Sequence, residues 1–189
     1  MFRIAHRKLV SLFVRITIIL RAFFVKVRIL LSGKSVKIGA NLNIGSHVEL
    51  ITTDGGSIVI GDNVTIERMV FLGAKGGQLL IDSDTFIGQG SQIVATERIE
   101  IGRRCLIAAY CAIHDSKHII NPISLSNASA KASASITIGD RTWLGTHVVV
   151  THGVQVGEGC IIGANAVVTA SITPDSLAVG VPAKRIRRL

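Results

Sequence analysis

Residues 138–168 read I-G-D-R-T-W, L-G-T-H-V-V, V-T-H-G-V-Q, V-G-E-G-C-I, I-G-A-N-A-V and then Val168, six-residue units each headed by an aliphatic side chain. Outward from this stretch, the same unit starts at Ile38, Ile44, Leu50; Ile60, Ile66, Leu72; Ile81, Ile87, Ile93; and Ile101, Ile107, Ile113. Eighteen units result, and ten of their heads are followed directly by Gly. A fixed repeat decides the architecture before any propensity argument, because each unit buries its apolar face only by stacking on its neighbours.

The units group in threes, with first heads at 38, 60, 81, 101, 138 and 156. Alternation extends backwards from several of these heads, as in Ile58-Val59-Ile60, Ile99-Glu100-Ile101 and Ile136-Thr137-Ile138. That is strand patterning running into a Gly turn. Each triplet therefore predicts one coil of three short strands, and about six stacked coils predict an all-β parallel β-helix over 35–175. The fifth place of a unit is usually small or branched, as at Leu42, Val64, Thr85, Cys105 and Cys111. It fails at Asp54, Gly76, Glu97 and Lys117, all in the third unit of a coil. Irregularity thus gathers along one edge, where functional loops are expected. The largest departure is a Ser-, Ala- and Asn-rich extrusion near 117–136.

The net charge of +9 is unevenly placed. Residues 1–34 carry eight cations (Arg3, Arg7, Lys8, Arg15, Arg21, Lys26, Arg28, Lys34) and no acid, which leaves 13 basic and 12 acidic residues beyond. The repeat domain is nearly neutral and has no basic stripe interleaved with aromatics, which argues against a nucleic-acid partner. Over 1–31 the cations share one helical side, and Leu9, Leu12, Phe13, Ile16, Ile19, Leu20, Phe23, Val27 and Leu30 share the other. This pattern predicts a basic amphipathic helix lying on an anionic membrane surface, or packed on the first coil. Its longest uncharged run, Leu9–Val14, is far short of the roughly 20 residues that cross a bilayer. Cys105, Cys111 and Cys160 form no CxxC pair and read as buried small residues in a reducing compartment.

Three further motifs carry a resemblance. The stretch C-L-I-A-A-Y-C-A-I-H-D-S-K-H ends at His118, I-G-D-R-T-W-L-G contains Trp143-Leu144-Gly145, and G-V-P-A-K spans Gly180–Lys184. In this order on eighteen hexapeptides, the chain from Ile38 to Leu189 resembles the hexapeptide-repeat acyltransferases. That family includes maltose, galactoside and serine acetyltransferases and the O-acetyltransferases of surface-polysaccharide synthesis. The resemblance implies a left-handed coil, a homotrimer with active sites between subunits, and acetyl-CoA as co-substrate, with no metal.

It places the catalytic base on His118, since an imidazole can take a hydroxyl proton near neutral pH. It assigns acceptor contacts to His114, Asp115 and Trp143, and coenzyme contacts to Gly145, Ala164 and Lys184. Arg185, Arg187 and Arg188 extend the cations available to the coenzyme phosphates. Asp115, close by in sequence, and Glu97, one coil earlier at the same edge, are the candidate carboxylates to orient His118. Sugar enzymes of the family carry Asn one coil before the catalytic His; this chain reads I-G-Q-G-S-Q there, which offers Gln89 or Gln92.

The expected activity is O-acetylation of a sugar or glycan in surface polysaccharide synthesis at the cytoplasmic face of the membrane, and the basic helix points to a lipid-linked or polymeric acceptor in place of a free sugar. Residues 176–189 are expected to be a basic tail. Two other readings stand beside it. His147 and His152 resemble the zinc-binding pair of γ-class carbonic anhydrases but fall one place late in their hexapeptides. A non-catalytic β-helix scaffold is the other alternative.

Overall fold

Each hexapeptide forms one short strand and one turn. The computed structural model describes residues 35–119 and 131–189, together with Ile16, Thr17 and Leu20. Successive strands close a coil, so like positions of successive coils pair as parallel neighbours. Three sheets result, with six, eight and six strands, parallel throughout except for the last strand of the second. In the first sheet the heads Ile38, Ile60, Ile81, Ile101, Ile138 and Val156 stand in register. Ile44, Ile66, Ile87, Ile107, Leu144 and Ile162 do so in the second. Leu50, Leu72, Ile93, Ile113, Val150 and Val168 do so in the third.

All heads but Ile38 and Leu50, both in the first coil, are buried. Burying each aliphatic head stabilises the stack by roughly 1.5–3 kcal/mol. Between strands the chain turns at the fourth place of the unit, where ten non-glycine residues adopt φ between 53° and 61°, among them Asn63, Tyr110, Arg141 and His147. The left-handed region costs an L-residue about 1–2 kcal/mol. Main-chain bonds between coils offset it: Tyr110 N–H donates to Gln89 O at 2.9 Å and His147 N–H to Ala109 O at 3.0 Å.

The Gly at the second place has a steric cause. A Cβ on Gly145 would lie 2.6 Å from Ala164 N, and one on Gly88 would lie 2.6 Å from Ala109 N. Coils approach too closely there for any side chain. Inside the coil, the fifth-place column uses short polar groups to link layers. Thr85 Oγ1 donates to Gly102 O (2.8 Å) and accepts from Cys105 N (3.1 Å). Thr142 and Ser91 repeat the arrangement towards Cys160 and Cys111.

The stack does not end with the sixth coil. Ile172 bridges to Val156, strand Ser176–Val179 adds to the second sheet, and Lys184–Arg188 pairs antiparallel along it. The residues expected as a tail thus include a strand pair that closes this sheet. Ile16, Thr17 and Leu20 are helical, and Thr17 shares a concavity with Asn43, Gly45, Thr65, Glu67 and Arg68. The remainder of the helix expected over 1–31 lies outside the described residues, as do residues 120–130 of the extrusion. Among the described residues no helix is long and apolar enough to cross a membrane.

Candidate active site

The irregular edge is the corner between the third and first sheets. In the fourth coil strand Ala112–His114 reaches this corner, and the chain leaves it as strand Ser116–His118. That strand pairs antiparallel with Lys131–Ser133, with His118 opposite Lys131. His118 is therefore held on a two-stranded neck projecting from the coil, and it is exposed. His114 precedes the corner on the outer side of the third sheet, opposite Val94. Loss of solvent lowers its pKa from 6.5, Lys75 pushes the same way, and Asp115 opposes both.

Asp115 lies between the two histidines and is fully buried. Its Oδ1 accepts from Thr96 N–H at 2.7 Å, and its Oδ2 accepts from Glu97 and Arg98 N–H at 2.8 Å each. Both oxygens are turned inward onto the main chain, so the expectation that Asp115 contacts an acceptor is revised. Glu97 faces the other limb of the neck, accepting from Ser135 Oγ at 2.7 Å.

Of the remaining expected site residues, Trp143 and Lys184 lie on the second sheet, and Gly145 and Ala164 lie in the turns that follow it, at the corner between the second and third sheets. Trp143 projects outward between Leu106 and Ile161 and is 47% exposed. Gly145 abuts the backbone of Ala164, and a Cβ on Gly163 would touch the Val179 side chain, whose strand partner is Lys184. Gly145, Ala164 and Lys184 thus follow one lane of small residues ending at exposed cations. Strand Lys184–Arg188 is exposed throughout. His118 is at the corner between the third and first sheets, so on a single chain it is at the other end of the third sheet from Gly145 and Ala164, and Trp143 faces out from the second sheet.

Comparison with known proteins gives this geometry a family. The family model described as bacterial transferase hexapeptide (six repeats) matches residues 135–170. A putative lipopolysaccharide biosynthesis O-acetyl transferase of Escherichia coli, WbbJ, is 35% identical over 142 residues, covering 70% of this chain and 72% of WbbJ. The chain belongs to the bacterial hexapeptide-repeat transferases. Galactoside O-acetyltransferase of Escherichia coli is 32% identical over 130 residues, covering 69% of this chain and 63% of that enzyme. A probable acetyltransferase of Mycobacterium tuberculosis is 34% identical over 154 residues, and this chain spans about half of its length (49%). Among solved structures, the Bacillus cereus N-acyltransferase AntD, in complex with dTDP and 3-hydroxybutyryl-CoA, superposes with a TM-score of 0.72. That match has 20% identity and covers 86% of this chain and 87% of AntD. At that identity it shows the shared fold.

Two features of this hexapeptide-repeat transferase were not legible as site geometry. Gln89, a candidate for the missing Asn, is held between coils: Oε1 accepts from Arg68 Nε (2.9 Å) and Nε2 donates to Tyr110 OH (2.6 Å). Tyr110 stacks on His147 with ring centroids 5.2 Å apart and planes 11° from parallel. His147 is thereby a corner residue, and among the described residues no three His, Cys, Asp or Glu are grouped to hold a metal ion. The signals were the shared fourth place of Tyr110 and His147 and the Gly at 90 in that column. The three cysteines are free and buried, and burial pushes the thiols of Cys105 and Cys111 up to about 11. Low-pKa nucleophilic chemistry does not suit such thiols.

Proposed function

We propose that this chain is an acetyl-CoA-dependent O-acetyltransferase of a sugar or glycan acceptor, with His118 as general base. The observation that carries the reading is His118 on a paired neck, where the family motif puts its base, at the corner where the coil departs from its repeat. The acceptor hydroxyl oxygen forms a bond to the thioester carbonyl carbon as His118 takes its proton. The carbon–sulfur bond then breaks, and the protonated imidazole returns that proton to the leaving thiolate.

The lane from Gly145 and Ala164 to Lys184 suits the coenzyme: small residues at the corner keep its surface low for a slim chain, and Lys184, Arg185 and Arg187 supply cations for phosphates. The lane and His118 are at different corners of one coil, an arrangement that suits a site completed by a neighbouring copy, in a homotrimer with sites between subunits. The ladder Phe86, Leu106, Trp143, Ile161 and Leu177 on the outside of the second sheet offers an apolar surface for that contact.

Mixing two inactive variants tests the shared site. His118→Ala keeps the lane and Ala164→Trp keeps the base, so co-expression restores one site per mixed trimer, about a quarter of wild-type activity for random assembly. Absence of any restored activity, with mixed trimers confirmed by mass, contradicts a shared site. Resemblance to enzymes of surface-polysaccharide synthesis and the cationic N-terminal segment support a glycan acceptor at the inner membrane face. Flotation of the full chain with anionic liposomes, lost on deletion of 1–31, is the expected result; equal flotation contradicts the membrane role.

A further inference from the structure

The excursion that carries His118 leaves the coil at Asp115 and returns at Ala134 and Ser135. Three contacts close this neck. The buried Asp115 carboxylate gathers the N–H groups of Thr96, Glu97 and Arg98 from the coil below. The side chain of Glu97 accepts from Ser135 Oγ at 2.7 Å. Ala134 N–H donates to Asp115 O at 2.9 Å, joining the two limbs directly. The outgoing limb is tied once more, where Thr96 Oγ1 meets Ser116 Oγ at 3.2 Å.

The contacts form a ring that runs from Asp115 to the 96–98 turn, through Glu97 to Ser135, and back through Ala134. Directly above it the first neck pair is Ser116 with Ser133, and two residues on is His118 with Lys131. A carboxylate accepting three main-chain N–H groups is a strong, directional anchor. Without the carboxylate, the outgoing limb would keep only the Thr96–Ser116 hydroxyl contact to the coil below, while the returning limb stays held by Gly153 N–H donating to Ala134 O at 2.8 Å.

From this ring we propose that Asp115 is a positioning residue for His118, acting through the neck and not through the imidazole. The inference rests on the reading of His118 as the base. It makes no use of Asp115 as an acid, base or acceptor contact, since its oxygens face the 96–98 amides. Glu97 and Ser135 are the second anchor of the same device.

Replacing Asp115 by Asn turns one acceptor into a donor that faces main-chain donors, so the ring opens with almost no change of volume. In full-length protein, hydrogen–deuterium exchange of peptides covering 112–119 and 131–136 should rise in Asp115→Asn. Peptides of the heads Ile60, Ile81 and Ile162 should be unchanged. In acetyl transfer, kcat should fall about 10- to 100-fold, the cost of a base displaced by an ångström or so. KM for acetyl-CoA and the pH dependence set by His118 should hold. Ser135→Ala should cause a smaller fall in kcat, about 3- to 10-fold, with Ser135→Thr restoring it; this pair also serves if Asp115→Asn fails to fold.

Wild-type exchange in the neck peptides of both Asp115→Asn and Ser135→Ala overturns the inference whatever the activity. So does a uniform rise in exchange across the coils, which would mark Asp115 as an ordinary stabilising group. Loss of transfer in His118→Ala with a silent Asp115→Asn removes the positioning role and leaves the proposed function. A neck that opens in an enzyme indifferent to His118→Ala removes the function and keeps the clamp.

Discussion

The Ile/Leu-Gly pairs make a quantitative prediction, because identical dipeptides meet different surroundings. Leu72-Gly73 and Leu144-Gly145 are indistinguishable in sequence. A Cβ on Gly145 would lie 2.6 Å from Ala164 N and 3.0 Å from Ala164 Cα, both main-chain atoms of the next coil. On Gly73 its nearest neighbour would be the Phe71 ring edge at 2.9 Å, which can swing away.

Relieving the overlap at Gly145 means parting two coils by several tenths of an ångström. The bonds from Gly145 N–H to Ile162 O and from Trp143 N–H to Cys160 O, each 2.8 Å, hold those coils together. Weakening two such bonds costs about 1 kcal/mol each, and strained packing adds about 1–3 kcal/mol. Gly145→Ala should therefore lose roughly 3–5 kcal/mol and Gly73→Ala less than about 1 kcal/mol. For a domain of this size that is a fall in Tm of about 6–20 °C against about 4 °C or less. Thermal unfolding by circular dichroism, at matched protein concentration because assembly shifts Tm, reads the difference. Equal Tm values for the two variants would refute the close coil contact. Gly145→Ala should also weaken acetyl-CoA binding, since parting the coils displaces the Ala164 backbone beside which the coenzyme is proposed to pass.

The thiols should be silent in the native protein. With Cys105 and Cys111 raised to about 11, their thiolate fraction at pH 8 is about a hundredfold below that of an ordinary thiol, so disulfide-exchange reagents should label them only after unfolding. Prompt native labelling would contradict the buried column. The same shift has a stability consequence: above pH 9 the unfolded chain releases protons that the folded chain keeps, so stability should fall between pH 9 and about 11. Cys105→Ala should flatten that fall, and an unaltered alkaline slope would contradict it. His114 acts on the acid side. Its folded pKa is below 6.5, so as pH falls through that value the unfolded chain binds a proton the folded chain refuses, and stability declines. His114→Gln should remove that part of the decline, and parallel acid curves would contradict it.

The coil architecture was readable because it rests on one periodic demand, an aliphatic head that must be buried every sixth residue. The irregular edge was readable for the same reason, as the place where Asp54, Gly76, Glu97 and Lys117 break the fifth-place rule. Asp115 was misread because nothing within I-H-D-S-K-H signals burial. Its partners are the N–H groups of 96–98, from the coil below, and three donors converging on one point cannot be seen from local sequence. The contacts of Gln89 were hidden likewise, since the Arg68 and Tyr110 that bond it come from the coils on either side. Strand Lys184–Arg188 reads as a solvated basic end, and its pairing with Ser176–Val179 depends on the turn between them.

Mass spectrometry of glycan acceptors incubated with acetyl-CoA tests the central claim most directly, with wild-type protein beside His118→Ala. Wild type should add acetyl groups to acceptor hydroxyls, while His118→Ala, unchanged in assembly, should lose at least about a hundredfold in rate. Acetylation by His118→Ala at a near-normal rate would contradict the account.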